Sequence, residues 1–345
     1  MRALIFEAVQ RVNVTTVPDP SVMEPTDALI RVRLAGICGS DLHPYHGRER
    51  GLDCGAVMGH EAVGDVIAVG SAVRTLAIGD RVYVPFTSSC GACAYCAMGL
   101  TCRCTRGQLF GWVGSGKGLH GMQAEMARVP LADATLVKVD ESISDTEALL
   151  LGDVMATGFF AADLAEVRPG GVYVVVGCGP VGLMAICGAR ERGAREVFAL
   201  DLTPERRALA ESFGARSLDP EREDVVQVVR RVTNDLGADG AMECVGAGPA
   251  ARLAYDLVRH GGVLAVVGVH TAGFPFSPAD AYDKNLVFKT GRCPARAYAS
   301  RLMPLVAKYQ IGRVVSHKMA LADGVRGYDM FDKKQDGCTK VVLAP

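Results

Sequence analysis

The chain has no surplus of positive charge: 37 Lys and Arg face 38 Asp and Glu, a net charge of −1. That absence removes the electrostatic basis for binding nucleic acid or an anionic membrane surface. The opening Met1-Arg2-Ala3-Leu4-Ile5-Phe6-Glu7 meets charge too early for a secretory apolar segment. Internal repeats and low-complexity linkers are missing as well. With 49% apolar and 22% charged residues the composition excludes a disordered or fibrous chain. One run, residues 169–189, carries no charge and is long enough to span a bilayer. Gly170, Gly171, Gly177, Gly179, Gly182, Gly188 and Pro180 interrupt it, so it reads as a buried strand at Val172–Val176 followed by a helix at Val181–Arg192. No membrane partner is expected.

What the chain does have is length for two domains, 40 glycines and 12 cysteines in 345 residues. A chain this long buries ample apolar surface without disulfides. In a reducing, cytoplasmic setting clustered thiols point to metal. The first ~150 residues carry short strand-like runs at Ala28–Leu34, Ala62–Val69 and Arg81–Val84. From about residue 155 strands and helices alternate. Strands are expected at Val172–Val176, Val197–Leu200, Gly240–Cys244, Val263–Val267 and Lys284–Gly291, with helices at Val181–Arg192, Pro204–Phe213, Asp224–Leu236 and Ala250–Arg259. Such alternation predicts a parallel sheet covered on both faces. The cleft between two tightly joined domains is the default site.

Gly177-Cys178-Gly179-Pro180-Val181-Gly182 follows one of these strands and opens a helix. Gly177 permits the tight turn, Gly179 admits a pyrophosphate, and Gly182 lets helix and strand pack closely. Free N–H groups at the helix start, around Pro180 and Val181, complement the phosphates. The next strand ends in Asp201, near the expected offset for an acid that binds the adenosine ribose. A carboxylate there favours NAD over NADP. The plainer reading of Asp201 is a cap for the helix that follows.

Cys90, Cys93, Cys96 and Cys104 have dense metal-ligand spacing in a loop spanning about 88–106. Four thiolates close a tetrahedral zinc site and leave no place for substrate, so this zinc is structural. Cys102 is a fifth candidate whose side chain would point elsewhere. A zinc module of another class would regulate or bind nucleic acid. Only Arg103, Arg106 and Lys117 stand nearby, without interleaved aromatics, which argues against that.

With these two loops, Cys38-Gly39-Ser40-Asp41-Leu42-His43, Gly59-His60-Glu61 and Leu151-Gly152-Asp153 resemble the zinc-containing alcohol dehydrogenases of the medium-chain dehydrogenase/reductase superfamily. The likeness spans essentially the whole chain and is closest to bacterial, usually tetrameric members. It implies an α/β protein: a GroES-like β-rich catalytic domain, residues 1–154 and 290–345, plus a Rossmann doubly wound parallel-sheet cofactor domain, residues 155–289. It implies two zinc ions per subunit, NAD(H), and a homotetramer. Val263–Val267, followed by Phe274-Pro275-Phe276, is the expected edge for pairing between subunits.

By the same resemblance Cys38, His60 and Asp153 are the catalytic zinc ligands, although many relatives have cysteine at the last position and an N-cap role is its alternative. Three protein ligands leave a fourth position for water or an alcohol oxygen. Asp41 would accept the free N–H of His60, and Glu61 matches an acid behind the zinc that coordinates it during ligand exchange. Ser40 would accept the substrate proton and His43 deliver it to solvent, unless His43 is an ordinary surface histidine. Gly39 stands where familiar relatives have a phosphate-binding Arg. Lys340 matches another phosphate contact and Arg206 an adenosine-ribose contact. Thr157, Val245 and Val269 correspond to segments lining nicotinamide. Phe86, Trp112 and Met155 are candidates for the substrate pocket wall, or plain core. The implied reaction is reversible hydride transfer between a zinc-bound primary or secondary alcohol and NAD, giving an aldehyde or ketone. Polyol, threonine and formaldehyde dehydrogenation are the alternatives.

Overall fold

The computed structural model describes residues 1–345. The chain divides into two compact units, Met1–Asp153 with Pro294–Pro345, and Val154–Cys293. The second cut falls four residues beyond the expected 289.

The first unit is built on a seven-stranded sheet around the long strand Ala28–Ile37. That strand alternates buried and exposed residues up to Arg33, then is buried throughout from Leu34 to Ile37. Side chains of a strand alternate between faces, so its second half is covered on both sides. Three partners converge on that covered end. Strand Ala62–Val69 runs antiparallel to it with Ala62 opposite Ala35. The C-terminal strand Val341–Ala344 pairs on the other side, Val341 opposite Ile37. Helix Asp145–Leu151 packs across the sheet. Its start is a capping box in which Ser144 and Glu147 satisfy each other's backbone N–H, and Arg81 holds Asp145 at 3.1 Å. At its end Gly152 is obligatory in practice, since a Cβ there would lie 2.4 Å from the Val84 carbonyl oxygen. The helix therefore presses onto the sheet and leaves Asp153 at the same end as Cys38.

The second unit is a six-stranded, all-parallel sheet in the order Arg216–Leu218, Glu196–Leu200, Val172–Val176, Ala238–Glu243, Val258–Val266, Val287–Thr290. This is the doubly wound order with a switch point beside Val172–Val176, where ligands bind outside the carboxyl ends of the strands. Val172–Val176 is buried on both faces, as its unbroken β-branched run requires. Helices Val154–Leu164 and Pro180–Glu191 pack closely through Gly158, where a Cβ would meet Met184 Cβ at 2.4 Å.

Three expectations change here. Val258–Val266 is an interior strand, hydrogen-bonded on both sides, so Val263–Val267 offers no edge to another subunit. Phe274 and Phe276 instead stack with each other and against Tyr255 and Phe288. The strand expected over Lys284–Gly291 is confined to Val287–Thr290, because Lys284 follows helix Pro278–Asp283 and buries its ammonium against the Tyr255 carbonyl at 2.5 Å. The helix expected over Asp224–Leu236 stops at Val232, and Asn234 and Asp235 adopt positive φ just beyond it. No helix is long and apolar enough to cross a membrane.

Candidate functional site

Cys38 directly follows Ile37 and caps the short turn Gly39–Asp41. His60 and Glu61 directly precede strand Ala62–Val69, and the antiparallel pairing brings them beside Cys38, with the Gly36 N–H donating to the Glu61 carbonyl. Asp153 arrives from the end of its helix. The Asp153 Oδ2 lies 3.3 Å from His60 Nε2 and 3.7 Å from Cys38 Sγ. Zinc with bonds of ~2.0 Å to N and O and ~2.3 Å to S would space tetrahedral ligands at ~3.3 Å for N···O and ~3.5 Å for S···O. Both edges to Asp153 therefore match the spacing of zinc ligands.

The surroundings orient these ligands. His60 Nδ1 faces Asp41 Oδ1 at 3.2 Å, which leaves Nε2 as the metal-facing nitrogen. The second oxygen of Asp41 accepts the Cys38 N–H at 2.9 Å. Ser40 Oγ is 3.3 Å from His60 Nε2, and the Phe86 ring stands edge-on to the imidazole at 6.3 Å. Burial lowers the His60 pKa, but Asp41, Asp153 and Cys38 outweigh it and raise the group well above its ordinary value. Burial, with the carboxylates of Glu61 and Asp153 nearby, pushes the Cys38 thiol up.

Glu61 joins Cys38, His60 and Asp153 in a group whose donor atoms lie within 4.8 Å of one another. Its Oε2 pairs with Lys340 Nζ at 2.5 Å, and its Oε1 has no hydrogen-bond partner. Lys340 is 1% exposed. Lys340, expected at a cofactor phosphate, is placed with its ammonium buried against Glu61. Gly36 makes room for the pair, since a Cβ there would stand 1.9 Å from Glu61 Oε2.

The remaining residues divide. His43 is half-buried, its Nδ1 has no partner, and burial lowers its pKa. A side chain at Gly39 would meet nothing within 4 Å, so the missing Arg is not a steric exclusion. Of the pocket-wall candidates, one is core and one is only partly buried. Met155 is fully buried in its helix and presents no surface, and Trp112 packs on the apolar cluster of Leu4, Phe6 and Tyr328.

The four-cysteine loop closes at its base, where the Ser88 N–H donates to Gln108. The Sγ atoms of Cys90, Cys93, Cys96 and Cys104 lie within 4.8 Å of one another. Backbone N–H groups point at the sulfurs: Cys90 donates to Cys104 Sγ at 3.2 Å and Cys93 to Cys90 Sγ at 3.4 Å. Such bonds from Cys96 and Thr105 pull the Cys93 thiol down to about 5, while burial and its thiol neighbours push Cys96 up to about 12. Cys102 is buried outside this set. None of the twelve cysteines is in a disulfide.

In the second unit Gly177 takes φ +95, and a Cβ on Gly182 would strike the Gly177 carbonyl oxygen at 1.8 Å. Gly179 caps the helix and Pro180 opens it, with no side chain occupying the helix N-terminus around Val181. Asp201 braces the backbone on both sides. Its Oδ1 accepts the Thr203 N–H at 2.9 Å, and its Oδ2 accepts the Cys178 N–H of the glycine loop at 2.8 Å. Arg206 brings its guanidinium to 3.9 Å from where a Gly179 Cβ would be. Arg207, by contrast, is tied to the Asp201 carbonyl at 2.7 Å and to Asp219 at 3.0 Å. Thr157 is half-buried in its helix. Val245 and Val269 are 51% and 43% exposed beyond the carboxyl ends of their strands. Glu243, not singled out from sequence, organises both loops: its fully buried carboxylate accepts the N–H groups of Val245 and Gly246 at 2.8 Å and pairs with His270 at 2.9 Å.

Residues 24–141 match the alcohol dehydrogenase GroES-like domain, and residues 180–308 match the zinc-binding dehydrogenase family. Zinc-type alcohol dehydrogenase B of Aspergillus flavus is 39% identical over 96% of this chain and 79% of its own. The chain belongs to the zinc alcohol dehydrogenases of the medium-chain superfamily. Among solved structures, the alcohol dehydrogenase TADH of Thermus sp. ATN1 is 41% identical with a TM-score of 0.92, covering 100% of this chain and 99% of its own. A putative zinc-binding dehydrogenase of Sinorhizobium meliloti bound to NADP is 27% identical with a TM-score of 0.85, covering 100% and 99%. The GroES-like and Rossmann-like architecture expected from sequence is thus that of this family.

Proposed function

We propose that this dehydrogenase carries two zinc ions per chain and transfers hydride reversibly between a primary or secondary alcohol and NAD, giving an aldehyde or ketone. The observation that carries the reading is the tetrahedral-edge spacing of Cys38, His60 and Asp153. Three protein ligands leave a fourth position, whereas the four cysteines leave none. When bound, zinc supplies a Lewis acid that lowers the pKa of an alcohol hydroxyl, and the dinucleotide accepts the hydride. Asp41 keeps the proton on His60 Nδ1. Ser40 Oγ accepts the proton of the substrate hydroxyl, and His43 releases it to solvent. Gly177, Gly179 and Gly182 admit the pyrophosphate, and Asp201 receives the ribose hydroxyls with the lone pairs its two backbone bonds leave free. Its charge opposes a 2′-phosphate, and Arg207 is not free to neutralise one.

The test is a panel of alcohols, polyols, threonine and formaldehyde followed by NADH absorbance, with zinc counted on protein purified without chelators. Two ions and turnover of simple alcohols are expected; one ion, preference for NADP, or turnover of threonine alone would overturn the corresponding part. The family resemblance also supports a homotetramer, and the clustered free thiols suit a reducing, cytoplasmic setting. A monomer by light scattering at micromolar concentration would overturn that assembly.

A further inference from the structure

The imidazole of His60 is held by Asp41, and Asp41 is itself held. Gln123 Nε2 donates to Asp41 Oδ2 at 3.2 Å and to the Gly36 carbonyl at 2.9 Å, and its Oε1 accepts the Tyr328 hydroxyl at 2.9 Å. Gln123 and Tyr328 are fully buried and come from segments 205 residues apart. The orientation of this amide is forced. Turned over, it would set Oε1 against two acceptors, the Gly36 carbonyl and the Asp41 carboxylate. Gly59, next to His60, makes the approach possible: a Cβ there would stand 2.5 Å from Gln123 Cγ. Asp41 Oδ2 thus receives two N–H groups, from Cys38 and Gln123, which fixes the carboxylate plane and leaves Oδ1 for His60.

We propose that Gln123 and Tyr328 are positioning residues that act through Asp41 on His60, and so set how firmly the catalytic zinc is held. The inference rests on Cys38, His60 and Asp153 being the zinc ligands. Outer partners of a metal-bound histidine matter because they fix ring orientation and ligand basicity. The four-cysteine site shares none of these residues and serves as a control within the same molecule.

The experiment follows zinc release from the holoenzyme into a chromogenic chelator, with the catalytic phase assigned as the one that Asp153→Asn removes. Gln123→Leu should speed that phase about tenfold, and Tyr328→Phe, which deletes one oxygen, about threefold, with the cysteine-site phase unchanged. In an Asp41→Asn background, itself faster than wild type, Gln123→Leu should add less than about twofold, since its route to His60 is already broken. Equal acceleration of both phases, wild-type rates in both variants, or a full multiplicative effect in the Asp41→Asn background would overturn the proposal. If Gln123→Leu fails to fold, Tyr328→Phe decides alone. A wild-type protein with no catalytic phase would instead refute the zinc-ligand reading beneath it.

Discussion

The two metal-ligand clusters solve the same chemical problem in opposite ways. One takes all its ligands from a single loop between Cys90 and Cys104; the other gathers residues 38, 60 and 153 from three segments and is backed by residue 340. In the loop, sulfurs that are part-exposed except at Cys104 are met by backbone N–H groups, which pull Cys93 down to about 5. In the assembled cluster the Cys38 thiol is buried beside two carboxylates and pushed up. The local site favours the thiolate at Cys93 through its own turn, although Cys96 is pushed up. A buried site collected from distant segments depends on the ion, and on Lys340, to balance its charge.

This contrast breaks or holds under substitution. Asp153→Asn should leave the cysteine-site zinc in place and lower kcat more than about a hundredfold, beyond the cost of losing an outer partner. Full activity with both ions retained would remove Asp153 from the ligand set. Cys96→Ser should do the reverse, emptying the loop site and lowering the unfolding midpoint by about 10 °C, read by metal analysis and calorimetry. Loss of the catalytic ion as well would show the two sites to be one cooperative unit.

Lys340→Met sharpens the comparison, since it touches only the assembled site. Removing one partner of a buried ion pair should cost about 3–5 kcal/mol in denaturant unfolding, and more after chelation than before, because the zinc no longer offsets Glu61. Asp201→Gly extends the comparison to the glycine loop, a second local device. It should move the ratio of kcat/KM for NAD and NADP by roughly thirtyfold toward NADP, about 2 kcal/mol. Loss on NAD should exceed gain on NADP, because Asp201 also holds Cys178 and Thr203. An unchanged ratio would make Asp201 a loop brace only.

Legibility follows the same division. The glycine loop, Asp201 and the four cysteines could be read because neighbours in the chain are neighbours in space, and spacing then encodes geometry. Cys38, His60 and Asp153 carry no such spacing and were reached through their motifs' resemblance to a family. Gln123, Tyr328 and Glu243 carried no signal at all: none belongs to a motif, and each is significant only for what it meets.

The sequence by itself determined the alternating strands and helices of the second unit, the turn at Gly177, and a thiolate loop able to bind metal wherever it is placed. These depend on backbone preference and short-range contact. Tertiary structure alone decided that Lys340 faces Glu61, that Val258–Val266 is interior rather than an edge, and that Gln123 reaches Asp41. Each of these turns on which strand lies beside which. The pairing of Val341 with Ile37 joins positions some three hundred residues apart. Many registers would satisfy the local pattern there, and only burial of the whole sheet selects one.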